Sequence, residues 1–184
     1  MSKKCAAVFF ADGFEEIEGL TVVDILRRAG VTVIMAAVTG TDCQVCGAHG
    51  MRILCDCRAA ELEPARLDMT VFPGGLPGAT NLAADRVTLD VVRAVYAAGG
   101  ITAAICAAPV ALAAAGVLTT QAYTCYPSFE KQIGGNYTAA HVQVDGQIIT
   151  GRGPGASADF AFALLKAMGM DAAAAQLRAG MLYN

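Results

Sequence analysis

The sequence predicts a doubly wound α/β fold, a mainly parallel sheet sandwiched between helices. Three observations predict it. Short apolar or β-branched runs alternate with helix-period patterns from one end of the chain to the other. Strands separated by helices need right-handed crossovers, and these place helices on both faces of a parallel sheet. The 184 residues are 55% apolar and 16% charged, enough to bury one full core and too apolar for a disordered chain, so residues 1–184 are expected to form a single domain.

Each element follows in order. Cys5 to Ala11 is a first buried strand, and Ile17 to Ala29 is a helix with Ile17, Leu20, Val23 and Leu26 on one stripe, stopped at Gly30. Val31 to Val38 is the next strand. Gln44 to Cys57 forms an irregular hairpin broken by Gly47 and Gly50. After an acidic, proline-containing connection, Asp68 to Phe72 is a strand that ends in Pro73-Gly74-Gly75. Leu89 to Ala98 is a helix, Ile101 to Ile105 a strand, and Cys106 to Leu118 the helix that follows it. Tyr123 to Tyr126 is a short strand, and Val142 to Thr150 a hairpin turning at Asp145-Gly146. Ser157 to Met168 and Ala172 to Leu177 close the chain as helices. The order is flavodoxin-like. In such sheets ligands bind where loops leave the carboxyl ends of strands, which singles out Asp12 to Glu18, Pro73 to Thr80, and the junction at Cys106.

Composition excludes several functions. A net charge of −3 with no Lys/Arg stripe gives no field for phosphate backbones, so nucleic acid is not an expected partner. The uncharged run Ile101 to Thr120 is mostly alanine and contains Pro109 and Gly116, which suits a buried strand and helix rather than a membrane span. Lys3 and Lys4 before an apolar run imitate a secretion signal, but Asp12 and Glu15 end the run early and no small-residue cleavage site follows. A cytoplasmic location is expected. Seven cysteines is an odd count, and thiols in a reducing compartment are more often catalytic, metal-binding or buried than paired. Cys43-x-x-Cys46 with Cys55-x-Cys57 has spacing that a zinc ion would accept. Against zinc, Cys55 and Cys57 are two apart in an alternating stretch and share one strand face as small apolar residues. No metal is expected.

The chemistry concentrates at Cys106. Ile101-Thr-Ala-Ala-Ile105 runs into Cys106-Ala-Ala-Pro-Val110 with no loop residue between strand and helix, the layout of a nucleophile elbow whose tight turn needs small neighbours such as Ala104 and Ala108. A thiol there faces a helix N-terminus, whose free N–H groups lower its pKa. A buried apolar cysteine among alanines is the plainer alternative. Glu15, Glu16 and Glu18 come to the same sheet edge. Two of the three are expected as dipole partners of the helix, while Glu18, one turn later, can point inward and keep its proton against a thiolate. In Pro73-Gly74-Gly75, the amide of Gly75 together with that of Ala107 makes an oxyanion hole, unless the motif is an ordinary strand-ending turn. His49 and His141 are expected to be surface or structural residues rather than bases.

Four segments, Ala11-Asp-Gly-Phe-Glu-Glu-Ile-Glu18, Phe72-Pro-Gly-Gly75, Ala103-Ala-Ile-Cys-Ala-Ala-Pro109 and Arg152-Gly-Pro-Gly155, together resemble the ThiJ/PfpI superfamily, in its DJ-one and YajL branch. The resemblance covers essentially the whole chain and implies a class I glutamine amidotransferase-like fold. By similarity Cys106 is an oxidation-prone nucleophile, Glu18 its protonated partner, Gly75 and Ala107 the backbone donors, and Arg152 an anion-binding arginine near a dimer face. One departure matters. Where several members carry a histidine, this chain has Tyr126 in Thr124-Cys125-Tyr126-Pro127, and a phenol is a poor base at neutral pH. A Cys-His peptidase of the PfpI kind is disfavoured accordingly.

Two functions follow from the resemblance. One is a cofactor-free deglycase or glyoxalase, in which Cys106 adds to methylglyoxal or to glyoxal adducts of amines and thiols. The other is a redox-sensing stress protein or chaperone governed by oxidation of Cys106. A homodimer is implied by the relatives and suggested by apolar residues on the first helix and the Gly-Pro-Gly turn.

Overall fold

The computed structural model describes residues 4–40 and 42–183. In chain order the strands and helices are β1 (Cys5–Phe10), α1 (Glu16–Arg28), β2 (Thr32–Ala37), β3 (Gln44–Cys46), β4 (Arg52–Leu54), β5 (Cys57–Arg58), β6 (Met69–Phe72), α2 (Gly78–Ala84), α3 (Arg86–Ala97), β7 (Ile101–Ile105), α4 (Pro109–Ala114), β8 (Ala122–Tyr123), α5 (Glu130–Ile133), β9 (Asn136–Tyr137), β10 (Val142–Asp145), β11 (Ile148–Gly151), α6 (Ser157–Ala167) and α7 (Asp171–Gly180). The main sheet has the order β10-β11-β7-β6-β1-β2-β5, and every pairing in it is parallel except β10 with β11. Helices α1, α6 and α7 pack together on one face; α2, α3 and α4 pack on the other. This is the doubly wound sandwich that the alternation of patterns predicts.

β1 lies near the centre of the sheet and is covered on both faces, which is why its sequence is continuously apolar: Ala6 to Ala11 are fully buried. Phe9 packs on Phe72 with ring centroids 4.9 Å apart, and Phe10 meets Phe14 edge-on at 4.8 Å. Each such fully buried side chain stabilises the fold by roughly 1.5–3 kcal/mol. The order of strand addition reverses at β1: β2 is added on one side of it and β6 on the other, all three strands running parallel. The carboxyl ends of β1, β6 and β7 therefore open onto one common crevice.

Five expectations are corrected. The expected stripe on α1 is buried only in part: Val23 and Leu26 lie in the core with Glu18, Val22 and Ile25, whereas Leu20 is half-buried and Ile17 is 56% exposed. Turning a glutamate inward rotates the neighbouring isoleucine out. The hairpin ends at Leu54, and Cys57 starts β5, a separate strand beside β2, so Cys55 and Cys57 share no strand. The segment after Gly75 is not simply a loop, because α2 begins at Gly78. The helix expected from Cys106 begins only at Pro109, since Cys106 has a left-handed φ of 63° and proline suits a first helical turn. Finally, the strand expected over Tyr123 to Tyr126 is only Ala122–Tyr123, paired with β9 outside the main sheet, because the next amide, Thr124 N–H, donates to the Thr150 hydroxyl instead (2.8 Å).

Candidate active site at the end of a central strand

β7 delivers Cys106. Ala103, Ala104 and Ile105 are fully buried, and Cys106 follows at once in the left-handed region. A residue with a Cβ pays roughly 1–2 kcal/mol there, so the surroundings must hold it. Two backbone bonds do so. The Cys106 N–H donates to the Gly151 carbonyl on β11 (2.9 Å), and the Cys106 carbonyl accepts from the Tyr126 N–H (2.8 Å). The predicted elbow is present, with Cys106, Ala107 and Ala108 forming the turn before α4. The thiol-bearing residue is 8% exposed.

Glu18 reaches this thiol from the first turn of α1 and is completely buried. Its Oε2 accepts from the Gly74 N–H (2.7 Å), while Oε1 has neither an N–H nor an O–H donor. Gly74 sits between the two groups. A Cβ on it would lie 2.7 Å from the Cys106 Cβ and 2.8 Å from Glu18 Oε2, so only glycine lets the carboxyl and the thiol meet. Gly75 takes φ 85° and turns its amide toward the sulfur, and the Ala107 amide does the same. The structure thus brings together Cys106, Glu18, Gly75 and Ala107, and adds Gly74. The Pro-Gly-Gly motif already contained that residue, but the sequence offers no sign of which glycine makes the close approach.

Burial pushes the Glu18 carboxyl up to about 7, against the pull of the Gly74 N–H and the Cys106 thiol, and the charge of Glu15 adds to the push. Burial also pushes the Cys106 thiol up, with a Glu18 carboxylate acting in the same direction and the Ala107 and Gly75 amides pulling back. The net direction is upward. This corrects the expectation of a thiol acidified by a helix end: α4 begins three residues later, and two amides do not outweigh desolvation plus a neighbouring carboxylate. The two groups titrate as a pair, which is neutral below about 7 and holds a single shared proton above it.

A cavity of about 300 Å³ is lined by Tyr126, Pro127, His141, Arg152 and the turn from Gly153 to Ala156; neither Cys106 nor Glu18 lines it, and Tyr126, bonded through its N–H to the Cys106 carbonyl, joins it to the elbow. Arg152 faces this cavity and donates from Nη1 to the Ala139 carbonyl (2.7 Å), so it lies on the wall rather than against the sulfur. His141 Nε2 pairs with Asp159 (3.1 Å). Tyr126 occupies the expected place next to Cys106, but its link to the elbow is its backbone N–H, and its side chain is 49% exposed. Tyr126→Phe is therefore expected to keep kcat/KM within about twofold, a change below ~0.5 kcal/mol, in steady-state assays. A loss of tenfold would assign the phenol a proton-transfer role.

Glu15 and Glu16 do more than face the helix dipole. Glu16 is almost fully buried and accepts from the His49 N–H (2.8 Å), His49 Nδ1 (2.7 Å) and the Met51 N–H (3.4 Å), tying the β3–β4 hairpin to α1. Burial opposes the Glu16 charge, but these bonds win and hold its pKa below the usual carboxylate range. The bond to Glu16, and the charges of Glu15 and Glu16, hold the His49 pKa above its ordinary value. The His49 contribution is thus complete below the unfolded pKa of about 6.5 and lost as pH rises through the raised folded value, while that of Glu16 is complete above about 4.5 and lost as pH falls through its lowered value. Glu16→Ala strands two amides and is expected to cost roughly 1–3 kcal/mol in urea unfolding at pH 6. His49 is a structural residue, as expected, but nothing in the spacing of residues 16 and 49 announces the pairing. Among the described residues the four hairpin-region cysteines do not converge on one point, and the one group of three potential metal ligands within reach of one another is Glu15, Glu16 and His49.

The DJ-1/PfpI family model matches residues 4–167. The Drosophila melanogaster protein dj-1beta is 36% identical over 98% of this chain and 99% of its own length, and its crystal structure superposes with a TM-score of 0.94 at 34% identity, covering all of both chains. A Caenorhabditis elegans protein described as a glutathione-independent glyoxalase is 31% identical over 84% of this chain and 82% of its own. The solved structure of Toxoplasma gondii DJ-1 in an oxidised form has a TM-score of 0.91 at 31% identity, covering 98% of both chains.

Proposed function

This chain belongs to the DJ-1/PfpI family, and from that premise we propose that it is a cysteine-dependent, cofactor-free enzyme of glyoxalase or deglycase type. Its substrates are methylglyoxal or the glyoxal adducts of amines and thiols. The similarity to a glyoxalase supports the reaction class. The observation that carries the reading is the buried carboxyl of Glu18 set against Cys106 with one oxygen lacking an N–H or O–H donor.

Above neutrality the pair has one proton and two places to put it. On sulfur, the proton serves a weak S–H donor and leaves a buried anionic oxygen without a strong partner. On Glu18 it becomes an O–H donor toward the sulfur, whose charge the Gly75 and Ala107 amides share. The second arrangement is a nucleophile with its acid attached.

Sulfur adds to the aldehyde carbon, and the carbonyl electron pair becomes an alkoxide that takes the Glu18 proton. The same two amides then lie beside the new oxygen. The Glu18 carboxylate removes the hydrogen from the former aldehyde carbon as a proton and returns it to the adjacent carbon, while the hydroxyl proton passes from the first oxygen to the neighbouring ketone oxygen, leaving a thioester of a 2-hydroxy acid. Water cleaves the thioester and restores the thiol. Methylglyoxal plus water becomes lactate, and no electrons leave the substrate, so the chemistry calls for no cofactor. With an amine or thiol adduct the former aldehyde carbon already carries its hydroxyl, so the Cys106 sulfur bonds to that carbon as the C–N or C–S bond of the adduct breaks, and the amine or thiol leaves with the Glu18 proton.

A second reading, a redox-responsive stress protein or chaperone, rests on the same pocket, because a sulfinate at Cys106 would accept from both amides and from protonated Glu18. The oxidised relative favours keeping it. We also propose a homodimer, supported by the exposed apolar residues Ile17 and Met51 where α1 meets the hairpin and Leu54 further along β4, and a cytoplasmic location, supported by the odd count of seven cysteines. Among the described residues no helix is long and apolar enough to cross a membrane. The test of the enzyme reading is lactate formation from methylglyoxal without glutathione, followed by NMR. Repeated turnovers per thiol support it; none, with Cys106 reduced, sinks it and leaves the sensor.

A further inference from the structure

Neither reading uses the cysteines of the hairpin region. The β3–β4 ladder pairs Gln44 with Leu54, Val45 with Ile53 and Cys46 with Arg52. Pairing continues one step further, because the Cys55 N–H donates to the Cys43 carbonyl at 2.8 Å. Cys43 and Cys55 are thus opposite one another at the open end of the hairpin. Cys43 leaves the strand with a φ of 60°, so this is not a regular ladder step, but a backbone bond of 2.8 Å still holds the two Cα atoms within roughly 7 Å, the outer limit for a disulfide. Cys46 faces Arg52 instead, and Cys57 belongs to β5 on the main sheet.

We propose that Cys43 and Cys55 are an oxidant-driven cross-strand disulfide pair, a modification site distinct from Cys106. Cys43 is half-buried and meets the oxidant, whereas Cys55 is buried and acts second. Charge on Cys43 is felt at both Cys55 and Cys57, which places the three thiols in one neighbourhood, and burial as the main cause pushes the Cys55 thiol up to about 12. Hydrogen peroxide transfers one oxygen to the Cys43 sulfur, its O–O bond breaks, and water leaves a sulfenic acid. The Cys55 sulfur then attacks the Cys43 sulfur, the S–O bond breaks, and the hydroxyl departs with the Cys55 proton as a second water. Two thiols lose two electrons, and the peroxide gains them. The bond closes the end of a hairpin whose other end supports the loop into α1, where the Cys46 carbonyl accepts from the Gly13 N–H and the Cys46 N–H donates to Asp12, both at 2.8 Å.

The full chain treated with hydrogen peroxide, alkylated without reduction and cut with trypsin tests this. Cleavage after Arg28, Arg52 and Arg58 puts Cys43 and Cys46 on one peptide and Cys55 and Cys57 on another. The expected product is the two peptides linked within a monomer, lighter than their sum by two hydrogens, with fragment ions locating the bridge at Cys43 and Cys55. Cys43→Ser and Cys55→Ser should each lower its yield by about tenfold or more, and Cys46→Ser should not. A bridge to Cys46 or Cys57, a bridge that survives Cys43→Ser, linkage only between two chains on a non-reducing gel, or no linked peptide once Cys106 is oxidised would each overturn the assignment. Methylglyoxal turnover by Cys43→Ser should equal that of the parent, so failure of the bridge and failure of the enzyme reading are separate results.

Discussion

Cys106→Ala is expected to lower lactate formation from methylglyoxal by about 10³-fold or more, the usual consequence of deleting a covalent nucleophile. Alanine keeps the Cβ, the backbone bonds to Gly151 and Tyr126, and the left-handed φ, so circular dichroism and the urea midpoint should stay close to those of the parent. Cys106→Ser should fail as thoroughly, because Glu18 near neutrality cannot hold an alkoxide in the way it holds a thiolate. Cys106→Gly separates strain from chemistry. It is equally inactive, but glycine adopts φ 63° freely, and the gain after its larger unfolded-state entropy is roughly 1 kcal/mol over Cys106→Ala. If Cys106→Ala retained a tenth of the activity, another nucleophile would have to be sought.

Glu18→Gln is expected to lower kcat by about 10²–10⁴, the range for losing a positioned acid and base, while KM changes little. The amide oxygen of glutamine still accepts from Gly74 N–H, so the shape of the site survives, but no proton can be relayed. Alkylation of Cys106 by iodoacetamide should continue, which distinguishes a lost relay from a lost nucleophile. Stability should move the opposite way. The folded pKa of Glu18, about 7, lies above its ordinary 4.5, so the folded protein holds the extra proton in that window and its stability falls as pH rises from 4.5 to 7. About 2.5 units at 1.36 kcal/mol each comes to about 3 kcal/mol, the most that Glu18→Gln can recover at pH 8. At pH 4 the variant and the parent should unfold alike. A variant that is no more stable at pH 8 than the parent would show that Glu18 ionises without cost.

The fold was legible because alternation of buried strands and amphipathic helices survives in almost every segment; β1, β7, β11 and α6 lie where the apolar runs put them. The elbow was legible for a similar reason, since a strand running directly into Cys-Ala-Ala-Pro leaves little room for another geometry. Helix starts were less so. Positive φ at Cys106 is imposed by Gly151 and Tyr126, residues far along the chain, and no local pattern carries that information. On α1 the apolar stripe places Val23 and Leu26 in the core but misplaces Ile17, because the fold buries Glu18 beside it and turns Ile17 outward. The thiol's acidity was misjudged on the same ground: a helix end can be seen in sequence, but desolvation by a closed crevice cannot. The pairing of Glu16 with His49 depends on how the hairpin docks, which spacing does not encode.

The borders of the main sheet carry a further consequence. One border is β5, only two residues long, and the other is β10, whose four residues run antiparallel to their neighbour. A long flat row of unsatisfied N–H and C=O groups is what lets foreign strands polymerise onto a protein, and here neither border offers one. The borders of the main sheet are accordingly guarded against strand addition by their shortness. The weakest point of that guard is Val144, 50% exposed on β10, and a lysine at that position would close it.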